Sequence, residues 1–256
     1  MVEKKVDNYE IEIDKSRMKK KRSEDISTAE GVFDLSTRKV IFNLMKKKII
    51  YEIFGVISTG KEANVYRAID IEGNPLAIKI YRIRNPEIQF MWKYIEGDPR
   101  FLHVRKKPRN IVFAWAEKEY KNLSRAAKAN VRVPKVIISI ENVLVMEFIG
   151  KNNIAAPKLK DVEIKNPSKI FNIIIEYMRK LYTDAHLVHG DLSEFNILMD
   201  NNNPVIIDIS QAVPLDHPNS NEFLIRDVKN IHWFFKQTKL ELSTPQEIYK
   251  YIKTGE

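Results

Sequence analysis

The chain has 256 residues and a mass of 30.0 kDa, with 44% hydrophobic, 30% charged and 10% aromatic residues. Such a chain is not disordered, collagen-like or disulfide-stapled, and it has room for one two-lobed domain or two small ones. Lys plus Arg outnumber Asp plus Glu by 43 to 34, giving a net charge of +9, which favours a polyanionic partner wherever the charge is clustered. There is no cysteine, which excludes disulfides, thiolate zinc sites and cysteine nucleophiles and favours an intracellular address. No apolar run approaches roughly 18 residues, and the polar start at 1–12 has no signal core, so the expectation is a cytoplasmic protein with no membrane partner.

In chain order, residues 1–30 are polar with little periodicity, and 15–22 (KSRMKKKR) carry six cations and no acid. Ser36 or Thr37 can then cap a helix running to Lys48, with Val40, Ile41, Leu44 and Met45 at helical spacing, so 1–48 reads as an N-terminal extension with one helix. Strand-like patterns occupy 49–58 and 63–71 around the break STGKE, and a third follows at 76–83 after the turn formers Gly73, Asn74 and Pro75. Residues 82–109 hold eight cations against three acids without clear periodicity, which predicts a flexible loop. A disordered connector and an RNA-contacting loop are both consistent with it, the latter using Trp92, Tyr94 and Phe101 to stack on unpaired bases.

Strong helix formers fill 113–130, with Asn130 as the stop, and 135–140 and 142–149 read as a hairpin about Glu141 and Asn142. Asn166 and Pro167 can open a helix whose stripe is Ile170, Ile173, Ile174, Tyr177 and Leu181. Two short strands, 196–200 and 205–210, flank the turn NNNP, and helices close the chain at about 220–240 and from Thr244, where Thr244, Pro245 and Glu247 make a capping-box start.

Three groups of residues carry chemistry. The turn Ser58-Thr59-Gly60-Lys61-Glu62 lies between two strands, where small residues let backbone N–H groups approach phosphates, although an ordinary hairpin turn reads the same way. It is not a Walker A loop, since the upstream glycine is missing and a strand follows. Lys79 lies on the apolar strand LAIK, and an inward lysine there needs an anionic partner. A nucleotide phosphate and a carboxylate from 113–130 would serve; Glu119, four residues from Leu123, is the first choice and Glu117 the second. The third group is His189-Gly190-Asp191 with Asn196, followed by Asp208 at the end of the strand VIID. Two carboxylates and an amide on loops closing short strands can converge as a magnesium site, with one group left to address a hydroxyl or water. His189 itself reads as a packed structural residue.

Gly60, Lys79, Glu119, Asp191, Asn196 and Asp208 stand in protein-kinase order. More closely, STGKEANVY, LAIKIYR, VLVMEFIG, HGDLSEFNIL, VIIDISQAV and HPNSNEFLIRDVKNI resemble the RIO family of atypical protein kinases, type-1 subfamily, in a short archaeal-like form. The resemblance implies an α+β, bilobal protein-kinase-like fold, with a small antiparallel-sheet lobe over 49–149 and a mainly helical large lobe over 150–256. It implies ATP with Mg2+, or Mn2+ in its place: adenine against Met146-Glu147-Phe148-Ile149, with the Glu147 carbonyl and Ile149 N–H as edge contacts. The phosphates would lie under Ser58, Thr59, Gly60 and Lys61 and on Lys79, Asn196 and Asp208 would hold the metal, and Asp191 would orient or deprotonate the acceptor.

It also implies a serine kinase or ATPase acting in maturation of the small ribosomal subunit and its rRNA, with autophosphorylation at a serine or at Asp208. Departures from ordinary kinases matter: Ser58 and Ala63 replace loop glycines, Gly190 replaces an arginine, Asp208-Ile209-Ser210 replaces DFG, and no APE sequence follows. An activation segment and a peptide-docking subdomain are therefore not expected. The alternatives are a small-molecule phosphotransferase of the aminoglycoside or choline kinase type, which shares HGD and the following Asn, and a non-catalytic nucleotide-sensing RNA-binding module.

Overall fold

The computed structural model describes residues 33–84, 86–238 and 240–256. Strands β1 (Glu52–Thr59), β2 (Ala63–Ile69), β3 (Pro75–Tyr81), β4 (Val136–Ile140) and β5 (Val143–Glu147) form one antiparallel sheet in the order β1-β2-β3-β5-β4. In β3 every residue after Pro75 is buried, which is why LAIKIY reads as an apolar run rather than an alternation. Its register places Lys79 between Val65 of β2 and Leu144 of β5.

Helix α1 (Leu35–Lys46) lays Val40, Ile41 and Leu44 on the sheet face formed by Ile78 and Val145. Its cap is Asp34, which accepts from the Ser36 and Thr37 N–H groups at 2.9 and 3.1 Å, and not Ser36 or Thr37 as expected. The helix stops at Lys46, and Lys48 adopts a left-handed φ of 60° that cannot continue it. The basic run at 15–22 lies outside the described residues.

The segment 82–109 corrects the expectation of an aperiodic flexible loop. It contains α2 (Ile88–Ile95), a 3-10 turn at Pro99–Phe101 and, from Pro108, the start of α3 (Pro108–Lys128), five residues earlier than expected. Met91, Tyr94 and Ile95 make a short buried stripe at helical spacing, which the flanking cations and Gly97 obscure in the sequence. Tyr94 stacks on Phe223 at 5.2 Å and meets Trp115 edge-on at 5.9 Å, so α2 touches helices of both lobes. Tyr94 and Phe101 are therefore core residues rather than stacking platforms, while Trp92 is half-buried.

The second half is mainly helical: α4 (Pro167–Thr183), capped by Asn166 accepting from Lys169 N–H at 3.0 Å, α5 (Ser220–Lys236) and α6 (Pro245–Thr254), whose Thr244 and Glu247 form the expected capping box. The hairpin β6–β7 (Gly150–Lys151, Ile154–Ala155) precedes α4, and between α4 and α5 lie the antiparallel pair β8–β11 (Leu187–Val188, Val213–Pro214) and, within it in sequence, the hairpin β9–β10 (Ile197–Asp200, Asn203–Ile206). The β6–β7 pair needs glycine at 150, where a Cβ would fall 2.2 Å from the Ile154 carbonyl oxygen. A continuous core runs from Leu144 under the sheet through Trp115 of α3 to Ile174 and Ile231 of the helical half. Among the described residues no helix is long and apolar enough to cross a membrane.

Candidate functional site

Between the sheet and the helical half lies a cleft of about 440 Å³. One wall is the β1–β2 turn and β3, with Ser58, Gly60, Lys61, Glu62 and Lys79; Thr59, paired with Asn64 at the end of β1, is outside the lining. Gly60 closes the turn through its N–H to the Ala63 carbonyl at 2.9 Å, an approach that would bring a Cβ to 3.1 Å from that oxygen. The opposite wall carries the connector Met146 to Ile149, and Asn196 and Asp208 line the floor. The Glu147 carboxylate is turned away to a two-pronged ion pair with Arg132, at 2.8 and 2.7 Å, and to Lys135 N–H at 3.0 Å. It stiffens the connector by locking it to the segment before β4.

Lys79 Nζ is buried and lies 2.9 Å from Glu119 Oε1 and 2.8 Å from Asp208 Oδ1. Glu117 instead pairs with Lys121 at 2.7 Å on the exposed face of α3, so Glu119 is the helix partner. Glu62 belongs to the same field: it sits in the cleft and accepts from the Trp115 indole N–H at 3.0 Å. Two carboxylates thus contact the Lys79 ammonium, and Glu62 acts on it through the field of the same cleft. Burial opposes the charge on Lys79, but Asp208 and then Glu119 outweigh it and hold the lysine protonated. Burial pushes both Glu62 and Glu119 up to about 7, with Asp208 adding repulsion in each case. Asp208 lies deep in the cleft but keeps part of its side chain open to solvent; its partial burial would raise it, but Lys79 and the Ser210 hydroxyl, which donates to Oδ1 at 2.9 Å, hold it below the ordinary carboxylate range.

Asp191 flanks this cluster without lining the cleft itself. Its loop turns at Gly190, φ 80°, and is held from below by Asp227 of α5, which accepts from the Gly190 and Leu192 N–H groups at 2.7 and 2.8 Å. Arg226 donates to the Gly190 carbonyl. Asn196 Nδ2 donates to the Asp191 carbonyl at 2.9 Å and to Oδ2 at 3.3 Å, and Gln211 Nε2 reaches the same oxygen at 3.0 Å. Burial and the nearby Asp208 raise Asp191 above its ordinary value. His189 is buried, accepts from Asp191 N–H at 3.3 Å, and is pushed down to about 4 by burial, so it is a neutral packing residue at pH 7.

Asp227, Arg226 and Glu62 are parts of the site to which the sequence motifs assign no role. Asp227 lies in LIRDVKN, where an acid on the buried side of a helix is a signal that a backbone turn needs an acceptor. Glu62 is hidden because a charged turn residue ordinarily faces solvent.

Comparison with known proteins agrees with this arrangement. The RIO domain family matches residues 64–248. The chain is 44% identical over 244 residues to the RIO-type serine/threonine-protein kinase Rio1 of Methanocaldococcus jannaschii, covering 94% of this chain and 83% of the relative. It is 40% identical to Rio1 of Haloferax volcanii, covering 96% and 83%, and 42% identical to human RIO1, where the match spans 94% of this chain but 43% of the longer human protein. Among solved structures, the Rio2 kinase ADP/Mg2+-phosphoaspartate complex from Chaetomium thermophilum superposes with a TM-score of 0.65 at 24% identity, over 85% of this chain and 65% of that one, and shares the fold. With a family match over most of its length and full-span relatives of one type, the chain belongs to the RIO family, as a protein kinase of the Rio1 type.

Proposed function

We propose that the chain binds ATP with magnesium in the interlobe cleft and moves its γ-phosphoryl group to an acceptor at the Asp191–Asp208 edge. The observation that carries this reading is Lys79, buried between Glu119 and Asp208 at 2.9 and 2.8 Å. A buried ammonium fixed by one carboxylate from a helix and one from the opposite floor is a phosphate anchor held in position before the nucleotide arrives. Adenine lies against the Met146 to Ile149 connector, the phosphates lie under Ser58, Gly60 and Lys61, and Asp191 orients the acceptor.

The donors present fit a magnesium ion. Among the described residues no group of three or more His, Cys, Asp or Glu side chains is assembled for a metal. Magnesium in phosphoryl-transfer sites uses one or two protein oxygens plus phosphate oxygens and water, so such a cage is not required. Asn196 spends Nδ2 on Asp191 and would present Oδ1 to the ion, and the Asp208 carboxylate, which Lys79 and Ser210 hold at Oδ1, would supply the second protein ligand. Held there by Asn196 and Asp208, the ion would neutralise charge on the phosphates.

The acceptor follows from the same edge. In place of a docked peptide, α2 and Phe223 pack beside the catalytic loop. Asp208 is therefore the reading we favour for the first acceptor, followed by water, giving a serine/threonine kinase family member that cycles as an ATPase. The Rio2 structure named above is described as a phosphoaspartate complex. Maturation of the small ribosomal subunit is the process that the resemblance to RIO kinases implies, and the net charge of +9 agrees with an RNA-rich partner. Turnover of γ-labelled ATP with magnesium, alone and with small ribosomal subunit precursors, is the test. Absence of magnesium-dependent turnover in both cases would refute the reading.

A further inference from the structure

Lys118 and Asn122 are one turn apart on α3, and both are fully buried. Neither makes a side-chain contact with the cleft cluster. Lys118 Nζ donates to the Ser210 carbonyl at 2.9 Å and to the Ala212 carbonyl. Asn122 Nδ2 donates to the Ile209 carbonyl at 2.9 Å and to the Ala212 carbonyl at 3.0 Å. Two side chains of one helix thus hold three of the four carbonyls that immediately follow Asp208.

The turn they hold begins at Asp208, whose φ of 55° is the left-handed conformation that aspartate reaches more readily than most residues but that still costs energy away from glycine. Ser210, in the same turn, donates to Asp208 Oδ1 at 2.9 Å, so the turn's position sets that of the carboxylate. The neighbouring residue on α3, Glu119, fixes Lys79, which binds the same oxygen. One helix therefore reaches Asp208 by two routes, through a side chain and through the backbone.

We propose that Lys118 and Asn122 are positioning residues for phosphoryl transfer, a clamp from α3 that holds the backbone after Asp208 so that its carboxylate stays on Lys79 and in reach of the phosphates. The clamp extends outward. Asn122 Oδ1 accepts from Arg100 at 2.8 Å, and Arg100 forms a two-pronged pair with the buried Asp98 at 2.9 and 2.6 Å. The turn between α2 and α3 is thereby wired to the Asp208 backbone, which gives this part of the basic segment a role in the site without contact with nucleotide. A purely structural lysine would be a poor choice here, because burial without a carboxylate in contact disfavours its charge and pushes it down to about 7. An apolar residue of similar length would fill the space at lower cost.

This inference rests on reading Asp208 as the metal and acceptor carboxylate, and the experiment separates the two. Lys118→Met, Asn122→Ala and Asp208→Asn are compared with the parent full-length chain for kcat, ATP KM, melting temperature, and deuterium uptake of a peptide spanning 205–215 without nucleotide. The clamp predicts that Lys118→Met folds with a modest fall in melting temperature, because the Ser210 carbonyl loses its Lys118 donor, takes up deuterium faster in that peptide, and loses roughly ten- to a hundredfold in kcat, beyond what that fall accounts for, with ATP KM little changed. Asn122→Ala should do the same, and it carries the test if Lys118→Met does not fold. Parental kcat or parental uptake in a folded clamp variant overturns the proposal, as does a kcat loss that only tracks a fall in melting temperature. If Asp208→Asn itself keeps full turnover, the site reading fails; if it is inactive while the clamp variants are not, the clamp alone fails.

Discussion

Glu62, in the turn between β1 and β2, accepts a 3.0 Å hydrogen bond from the indole N–H of Trp115 on α3, so the turn that covers the cleft is moored to the helix that carries Glu119. The mooring places a carboxyl where phosphates would lie. Asp208, Lys79, Glu119 and Glu87 are the charged groups around it, and burial followed by Asp208 pushes it up to about 7.

The first prediction follows from that value. Below about 7 Glu62 is neutral, and above it an added negative charge opposes a triphosphate. ATP affinity should therefore weaken as pH rises through 7. Glu62→Gln, which keeps an acceptor for Trp115, should flatten this dependence and bind tighter on the alkaline side by roughly 1 kcal/mol, about fivefold. Stability moves the same way: the folded value lies above the unfolded one of 4.5, so this contribution is complete below 4.5 and lost as pH rises through about 7. Nucleotide titrations of both proteins on either side of pH 7 check it, and parallel pH profiles would exclude the role.

Removing Lys79, the proposed phosphate anchor, should have two separable effects. Lys79→Ala deletes a charge-assisted contact worth roughly 1.5 to 3 kcal/mol, about ten- to a hundredfold in ATP affinity or turnover. It also leaves Glu119, 1% exposed, without its cation. Breaking a buried pair from one side costs roughly 3 kcal/mol, whereas removing both charges can be nearly neutral. Lys79→Ala should thus melt well below the parent, and adding Glu119→Gln should recover much of the loss at pH 8 while leaving turnover low. An additive fall in melting temperature would show that the pair is not coupled.

The basic segment carries the third prediction, now on an ordered frame. Arg105, Lys106, Lys107 and Arg109 are exposed around the start of α3, and Lys106 lies over the Trp92 ring at 5.3 Å. Neutralising all four should flatten the dependence of log affinity for single-stranded RNA on log salt by roughly 0.7 × 4. Leu102 beside them is 78% exposed, so an effect that appears in RNA binding at every salt concentration without changing the slope would point to packing rather than phosphate contact.

The residues show why some of this was legible in the sequence and some was not. α4 announces itself because burial repeats on a helical period and β3 because its burial is an unbroken apolar run, and Asn166, Asn130 and the Thr244 box mark ends that only local backbone chemistry explains. Lys79, Asn196 and Asp208 stand out as polar residues at strand ends or in apolar runs, and the structure puts all three on one cleft. α2 escaped because three buried residues within eight give too short a stripe to outweigh the surrounding charge. The Lys118, Asn122, Arg100 and Asp98 chain escaped for a different reason: Lys118 and Asn122 donate to backbone carbonyls distant in sequence and Arg100 to the Asn122 side-chain oxygen, and no spacing encodes those contacts.

The last prediction concerns where the phosphoryl group goes first. Lys79 and Ser210 both hold Asp208 Oδ1, and the Asp208 side chain is 43% exposed, so the carboxylate is fixed at one oxygen and accessible at the other. In-line attack by Oδ2 on the γ-phosphorus of ATP would break the bond to the β–γ bridging oxygen, release ADP and leave an acyl phosphate, a two-step route that carboxylates support in other ATPases. On the proposed reading Asp191, raised by burial and by Asp208 and held by Asn196 and Gln211, would take a proton from the water that hydrolyses the intermediate. Incubation with γ-labelled ATP should therefore label the protein, hydroxylamine should remove the label, and the labelled peptide should contain Asp208. Asp191→Asn should slow loss of the label more than its formation, because the base acts in the second step. Asp208→Asn should abolish the label, but since that change also weakens metal binding, the Asp191→Asn kinetics carry the argument. Label that resists hydroxylamine and maps to a serine would show that a hydroxyl, not Asp208, receives the phosphoryl group.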